Sequence, residues 1–247
     1  MTSAAPIDVA RLLVHERFPA AVQAWLAGSV VRGNPTSTSD LDITVLDETT
    51  VAHRESLRFE GWPVELFVNC EAGIRHFVAK DITRRKPSTA RLVAHGVALV
   101  PGGGGAELRA HCEQVLAVGP GRLSAEDVAA DRYGLSDLLD DLRGAEQGPV
   151  ATAIAVATWQ RAAEFVLAVN GRWNGGGKWL SRELLALDEG AGTTWTTRLD
   201  EALRRALEGD VAALEAAAEA ALDEAGGRLW EGYYQAARVP DGGWDQA

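Results

Sequence analysis

Short apolar runs bounded by turn residues characterise the first part of this 247-residue chain, after one helix-like stretch at the N-terminus. Such runs are typical of β-strands, which are short and end at polar or turn-forming residues. The pattern predicts strands at residues 21–27, 41–46, 54–59 and 62–68. This part of the chain is therefore expected to form a small mixed sheet flanked by helices.

A helical pattern replaces the strand pattern in the second part of the chain. One apolar stripe has the spacing i, i+3, i+4, i+7 of an amphipathic helix. It consists of Leu135, Leu138, Leu139 and Leu142. A second long helix is predicted over residues 154–169, with Asn170 and Gly171 as its C-terminal cap. Residues 209–224, rich in alanine, predict a third helix.

The change of pattern coincides with a glycine-rich stretch at residues 101–105. Glycine and proline are the strongest local breaks in regular structure, so a domain boundary is expected here. The sequence thus predicts an α+β protein with two domains. Residues 1–100 would form the sheet domain, and residues 101–247 an all-α helical-bundle domain.

Composition excludes some classes of function. The formal net charge is −11, which disfavours nucleic acid as a partner because a general nucleic-acid binder needs a basic surface. The two cysteines, Cys70 and Cys112, fit a reducing compartment rather than a disulfide framework. The chain shows no apolar run of membrane-spanning length and no N-terminal signal pattern. We therefore expect a cytoplasmic protein with no membrane partner.

Two aspartates stand at the entrance of the strand predicted at residues 41–46. Asp40 and Asp42 would project to one face of that strand, while Leu41 and Ile43 would project to the other. Two carboxylates held close together repel each other unless a cation neutralises them. Mg²⁺ takes oxygen ligands, usually one or two carboxylates together with substrate phosphates. The pair therefore indicates half of a Mg²⁺-dependent nucleotide site.

The residues for the other half are also present. Gly28 and Ser29 follow a predicted strand, and a tight turn there would offer backbone N–H groups and a hydroxyl to phosphate oxygens. Ser39 adds a second hydroxyl beside the acidic pair. Glu65 is the single charge in the apolar stretch 62–68, which makes it the candidate third metal ligand or general base.

These residues form a longer motif. It comprises Gly28-Ser29, Arg32-Gly33 and Ser39-Asp40-Leu41-Asp42. The motif resembles the signature of the polymerase-β-like nucleotidyltransferase superfamily, where Gly-Ser, a spacer and Asp-x-Asp are followed by a third acid on a later strand. The resemblance covers roughly residues 7–100. The helical half most resembles aminoglycoside adenylyltransferases of the streptomycin/spectinomycin type and their uncharacterised relatives.

The resemblance implies transfer of a nucleoside monophosphate, most often AMP from ATP, to a hydroxyl of a small molecule, with release of pyrophosphate. An aminoglycoside-like acceptor would connect this activity with antibiotic resistance. Carried over by position, Ser29 and Ser39 would contact the triphosphate. Asp40 and Asp42 would bind Mg²⁺, with Glu65 as third ligand or base. Glu65 follows Asp42 by 23 positions, which is a shorter spacing than in the well-studied resistance enzymes.

Two basic residues are further candidates for nucleotide binding. Arg32 either orients the motif by pairing with a carboxylate or is simply exposed. Lys178 follows three glycines at a predicted helix start, where a cation opposes the helix dipole unless an anion shares the site. In the resembling adenylyltransferases a lysine of the helical domain reaches the triphosphate, so Lys178 is the candidate for that role. The alternative is an exposed loop lysine.

Two further features have both a functional and a structural interpretation. The basic stretch at residues 75–91 either steers a triphosphate or forms a solvated helix face. Five tryptophans beyond residue 170 either line a cleft for a sugar or cation or belong to the core. They are Trp173, Trp179, Trp195, Trp230 and Trp244.

The residues alone leave structural roles open for the acids as well. Asp40 could be a turn residue, Asp42 a surface strand residue and Glu65 an edge-strand residue. Three functions are therefore compatible with the sequence. The leading one is a nucleotidyltransferase acting on a small hydroxylated molecule. The alternatives are an antitoxin-type nucleotidyltransferase that adenylylates a protein partner, and a nucleotide-binding relic without turnover.

Overall fold

The computed structural model describes residues 5–236. Its contacts divide the chain into two units, residues 1–120 and 121–247, and each is described by itself. The division falls after Pro120 rather than at residues 101–105, because the helix that follows the glycines packs under the sheet. Leu108 and Cys112 of that helix are buried there, and burial raises the pKa of the Cys112 thiol to about 11.

The first unit contains a mixed five-stranded sheet with the order β3-β4-β2-β1-β5. The strands are β1 (Gln23–Ala27), β2 (Leu41–Leu46), β3 (His53–Phe59), β4 (Trp62–Asn69) and β5 (Val97–Ala98). Strands β2 and β4 run parallel, and the other neighbours are antiparallel. The four strands expected from the apolar runs are present, while the two-residue β5 is too short to leave a pattern.

Helices cover both faces of this sheet. They are α1 (Pro6–Arg17), α2 (Glu71–Thr83), α3 (Ser88–Ala94) and α4 (Ala106–Val118). On one face, Leu13 of α1 packs with Leu41 and Ile43 of β2. On the other face, the helices α2, α3 and α4 pack around Trp25 and Leu46. Because neighbouring strand residues point to opposite faces, this packing fixes which face each side chain of β2 occupies.

The second unit is helical over the residues that the structure describes. Its helices are α5 (Ala125–Gly144), α6 (Pro149–Val169), α7 (Lys178–Ala191), α8 (Trp195–Leu207) and α9 (Ala212–Asp223). The predicted stripe is confirmed on α5, where Leu135, Leu139 and Leu142 are buried. Helix α6 ends at Asn170, and Gly171 follows with φ of 67°, as the C-terminal cap pattern predicts. The α+β class expected from the sequence is therefore confirmed.

Asp188 joins two helices of the second unit. It lies on α7, and its carboxylate accepts hydrogen bonds from the backbone N–H groups of Trp195 and Thr196 at the start of α8, both at 2.8 Å. The hydroxyl of Thr193 donates to the same carboxylate at 2.6 Å. Burial alone would raise the pKa of Asp188, but these hydrogen bonds outweigh burial and lower the pKa below its ordinary value.

The tryptophans of the helical half divide between interior and surface. Trp173 and Trp195 are buried, and Trp195 belongs to the core of the second unit. Trp179 lies under the guanidinium of Arg182. Trp230 is 59% exposed, and Trp244 lies outside the described residues. Within residues 5–236, no helix combines the length and apolar character that crossing a membrane requires.

Candidate active site

Three carboxylates converge at the start of β2. Asp40 lies two positions before Asp42, the second residue of β2, and Asp42 stands opposite Glu65 of β4 in the parallel pairing. One oxygen of each carboxylate lies within 4.8 Å of those of the other two, and all three residues are half-buried. The sheet register thus brings together acids that are far apart in sequence.

The apolar side of the same strands explains why the acids share a face. Leu41 and Ile43 of β2, and Val64 and Leu66 of β4, are fully or almost fully buried in the same core cluster as Leu13 of α1. Because the side-chain period of a strand is two, the residues between them must point to the opposite face. Slipping either strand by one residue would expose the apolar set, so the core enforces the position of the carboxylates.

A hydroxyl-rich turn leads into this cluster. The side-chain oxygens of Ser29 and Ser39 lie 2.7 Å apart, and the backbone N–H of Thr36 donates to the Ser39 hydroxyl at 2.8 Å. Gly28, with φ of 87°, ends the preceding strand and adopts a conformation that favours glycine. The predicted turn residues therefore surround one small region beside the acids.

Gly28 also makes room for Asp42. A Cβ atom built on Gly28 would lie 2.5 Å from the Asp42 Oδ2 atom, which is closer than any real contact. A glycine at this position therefore lets the backbone of the turn approach a carboxylate directly. Gly33, in the same loop, has φ of 77°, but nothing lies within 4 Å of its Cβ position.

Arg54 is a member of the site that sequence reasoning missed. Its guanidinium donates to the Glu65 Oε1 atom at 2.6 Å and lies over the ring of Phe67, 5.3 Å from the ring centre. The guanidinium offsets one of the three negative charges, and the other Glu65 oxygen is left for a further ligand. The two-residue side-chain period of a strand could have identified Arg54. On β3, Arg54 shares a face with Ser56, and Ser56 pairs with Glu65.

Arg32 and Lys178, the two basic residues predicted to bind the nucleotide, lie in separate parts of the structure. Arg32 follows the Gly28 turn, and its side chain is close enough to His95 to contribute to lowering the pKa of that imidazole, where burial is the largest cause. Lys178 is the exposed first residue of α7 in the second unit. Its contact with a triphosphate stays a prediction.

The basic stretch at residues 75–91 does not form one continuous helix face. It is divided between α2 and α3, and Arg75 of α2 pairs with Glu71 at 2.8 Å. Arg85 lies between the two helices, is 9% exposed and has φ of 54°. Asp81 accepts a hydrogen bond from the backbone N–H of Thr89 at 2.7 Å. Several of these charges therefore have structural roles.

The donor set fits a hard divalent cation. All three side chains offer carboxylate oxygens, the ligand type that Mg²⁺ prefers, and all three residues are only half-buried. The described residues also bring two hydroxyls and the backbone of a tight turn to the same edge. Such an arrangement can hold a metal-bound polyphosphate.

Comparisons with known proteins find similarity among solved structures. No protein-family model matches the sequence, and no curated protein matches it. Among solved structures, the chain is similar to a nucleotidyltransferase-like protein from Exiguobacterium sibiricum 255-15. The alignment covers 89% of this chain and 77% of that chain, with 12% sequence identity and a TM-score of 0.41.

Proposed function

We propose that this protein is a Mg²⁺-dependent nucleotidyltransferase, which moves a nucleoside monophosphate from a nucleoside triphosphate to a hydroxyl group. The observation that carries the proposal is the meeting of Asp40, Asp42 and Glu65 within 4.8 Å beside the Gly28 turn. Three carboxylates at this distance are costly without a cation. The motif resemblance of residues 28–42 supports the same chemistry.

The cation would be held by the two aspartates, and Glu65 would act either as a third ligand or as the base. When bound, Mg²⁺ neutralises charge on the transferred phosphoryl group and the leaving pyrophosphate. The first contribution of the chain itself is to position the triphosphate. The N–H groups of the turn and the Ser29 and Ser39 hydroxyls would bind the triphosphate and fix its direction relative to the acids.

Proton transfer is the second task of the chain. The acceptor hydroxyl oxygen attacks the α-phosphorus, the bond to the bridging oxygen of pyrophosphate breaks, and the hydroxyl proton passes to a base. Glu65 is the proposed base, because Arg54 holds its Oε1 atom and a Glu65 carboxylate oxygen lies within 4.8 Å of oxygens of both aspartates. Fixing one carboxylate oxygen holds the other in a defined orientation.

The proposed donor is ATP, and the proposed acceptor is a small hydroxylated molecule. The resemblance of the helical half to aminoglycoside adenylyltransferases makes an aminoglycoside-like acceptor, and a role in antibiotic resistance, one specific form of the proposal. Lys178 is proposed as an additional triphosphate contact. Its contribution can be measured separately, since Lys178→Met should weaken ATP binding without altering binding of the metal alone.

Calorimetric titration of ATP into the protein, with and without Mg²⁺, tests the central proposal. We expect binding that requires the metal and is lost in the Asp40→Asn/Asp42→Asn double variant. Glu48→Gln, which neutralises an exposed carboxylate beyond the far end of β2, is the matched control and should bind as the wild type does. Metal-independent binding, or equal binding by the double variant, would contradict the proposal.

A further inference from the structure

A cavity of about 480 Å³ lies on the same sheet face as the three acids. Its floor is formed by β2 and β4 and its cover by α2 and α3, so the whole cavity belongs to the first unit. Most of its wall is apolar and includes Phe67, Ile74, Phe77 and Leu92. The volume is within the range of sites that enclose one small molecule.

Two buried polar groups belong to the wall of this cavity. Thr44 is 2% exposed and Asn69 is 8% exposed, and both line the space. Within residues 5–236, neither the Thr44 Oγ1 atom nor the Asn69 Oδ1 atom has a hydrogen-bond partner. Buried polar atoms are nearly always hydrogen-bonded in native proteins. Two exceptions in one cavity wall point to a ligand that supplies the missing partners.

The cavity has a defined position relative to the acids. Thr44 and Phe67 are the next same-face residues after Asp42 and Glu65, and they are paired with each other. Since β2 and β4 are parallel, the cavity extends from the acids toward the C-terminal ends of both strands. The first step along each strand is about 7 Å.

The hydroxyl-rich turn lies on the opposite side of the acids. It enters β2 from the N-terminal end, with Ser39 immediately before Asp40. Transfer of a phosphoryl group places the attacking oxygen and the leaving group roughly in line, on opposite sides of the phosphorus. If the turn holds the departing pyrophosphate, the attacking hydroxyl must come from the side of the cavity.

We infer that this cavity binds the acceptor, and that the acceptor is a largely apolar ring compound bearing a hydroxyl rather than a polyamine. The inference rests on the proposed function for the transfer step, but not for the binding itself. Phe67 and Phe77 suit a flat ring, and the Asn69 Oδ1 atom, unpaired within residues 5–236, can accept a hydrogen bond from the ligand. In the described part of the chain, the lining residues of the cavity include no carboxylate that could pair with a polycation such as an aminoglycoside.

The group-transfer step then balances within this geometry. The hydroxyl of the ring compound forms the new bond to the α-phosphorus, and the α–β bridging oxygen departs with pyrophosphate. The hydroxyl proton passes to Glu65, which lies between the cavity and the turn. A second hydroxyl or amine N–H on the same ring compound would bond to Asn69 and hold the ring in place.

Binding of 2-naphthol to the full chain, without nucleotide or metal, tests the inference directly. Backbone amide shifts in ¹⁵N–¹H spectra give the dissociation constant and its location. We expect shifts at residues of β4, α2 and α3, with a dissociation constant of about 1 mM or below, as a fragment of this size allows. The matched probe 2-methoxynaphthalene, which lacks the O–H donor, should bind about fivefold more weakly.

Two variants distinguish a role of Thr44 and Asn69 in ligand binding from imperfect packing of their side chains. Thr44→Val keeps the shape of the side chain and removes the buried hydroxyl, and Asn69→Leu removes the amide. Both should weaken 2-naphthol binding about fivefold or more while the protein stays folded, and Thr44→Val should unfold at an equal or higher urea concentration. Thr152→Val, at an exposed position of α6, is the control and should change nothing.

The outcomes distinguish this inference from the proposed function. Because the assay contains neither ATP nor Mg²⁺, naphthol binding survives even if the acids bind no nucleotide. Naphthol affinity unchanged in both cavity variants would overturn the inference. Streptomycin displacing the naphthol from the cavity would overturn the exclusion of polyamines. ATP shifting the same cavity amides would assign the cavity to the nucleobase and also overturn the inference.

Discussion

Asp42 and Glu65 face each other across two parallel strands, as paired residues of the β2–β4 register. Their carboxylates lie on the face of the sheet opposite to the one on which Leu41, Ile43 and Leu66 are buried. The distance between them is therefore set by strand pairing, which is rigid, and not by loop conformation. A site built on strands in this way holds its ligands in nearly fixed positions.

Removal of the metal should lower the stability of the first unit. A cation that binds the folded state at about 100 times its dissociation constant contributes about 2.7 kcal/mol. We expect the melting temperature in 10 mM Mg²⁺ to exceed that in EDTA by several degrees. Differential scanning calorimetry would show this rise for wild type and Glu48→Gln. An equal rise in Asp40→Asn/Asp42→Asn would place the cation elsewhere.

Substitution of Gly28 should impair nucleotide binding more than stability. Gly28→Ala and Gly33→Ala both force alanine into a left-handed conformation, at a cost of about 1–2 kcal/mol each. In Gly28→Ala the new methyl group also collides with Asp42, whereas in Gly33→Ala it meets open space. We therefore expect Gly28→Ala alone to weaken Mg²⁺–ATP binding about tenfold or more, a loss of ~1.4 kcal/mol.

Urea unfolding of the two glycine variants gives their loss of unfolding free energy, and calorimetry gives their affinity for Mg²⁺–ATP. Similar losses of unfolding free energy confirm that the conformational strain is matched. If both variants then bind Mg²⁺–ATP equally well, close approach of the turn to Asp42 has no role in the site.

Removal of Arg54 should strengthen metal binding. The guanidinium pairs with Glu65 and repels any cation at the cluster. Arg54→Met keeps apolar contact with Phe67 but removes the charge, so we expect Mg²⁺ affinity to rise about threefold to tenfold. The loss of unfolding free energy should not exceed about 1 kcal/mol, because the Arg54 side chain is 62% exposed.

Arg58→Met provides the control for charge alone. Arg58 lies on the same strand and is also exposed. Calorimetric titration with MgCl₂ should show a smaller change for this variant. Weaker Mg²⁺ binding by Arg54→Met would mean that Arg54 positions Glu65 for the metal instead of competing with it.

The capping carboxylate of Asp188 should make the second unit sensitive to acid. Asp188→Ala removes the hydrogen bonds to the start of α8 and should cost about 1–2 kcal/mol at neutral pH. The pKa of Asp188 is lowered in the folded state. Its contribution is therefore complete above the unfolded pKa of about 4, and is lost as the pH falls through the lower folded pKa.

Urea unfolding of wild type and Asp188→Ala between pH 7 and pH 2 measures this contribution. We expect the difference in unfolding free energy to shrink on acidification. Asp200→Ala, which removes an exposed carboxylate paired with Arg204 on α8, should cost about 0.5 kcal/mol or less. A difference between wild type and Asp188→Ala that is the same at every pH would rule out a role for the charge.

Local patterns predicted the four longer strands well because each of them carries its own signal. The run at residues 41–46 coincides with β2, since its alternating apolar residues are buried on one face. The end of the sheet domain could not be found in this way. The glycines at 101–105 are a turn into α4, and only tertiary packing of Leu108 and Cys112 under the sheet shows that α4 belongs to the first unit.

The acids were predictable because charge is rare inside apolar strands. Asp40 and Asp42 came from their spacing, and Glu65 from its isolation among apolar neighbours. Their proximity depends on the parallel pairing of β2 with β4, which no local pattern encodes. The same is true of Arg54, whose partner Glu65 is reached only through the β3–β4 hairpin.

Arg54 contacts the carboxylate of Glu65 with its guanidinium and lies over the ring of Phe67 at the same time. The Arg54 side chain therefore belongs both to the acidic cluster and to the wall of the neighbouring cavity. A metal ion that displaces Arg54 from Glu65 would change the part of the cavity wall that a bound ring compound contacts. Thermodynamic reciprocity then requires that occupancy of the cavity alter cation affinity by the same factor. If a metal ion and a ring compound bind as proposed, their loading is coupled through the side chain of Arg54.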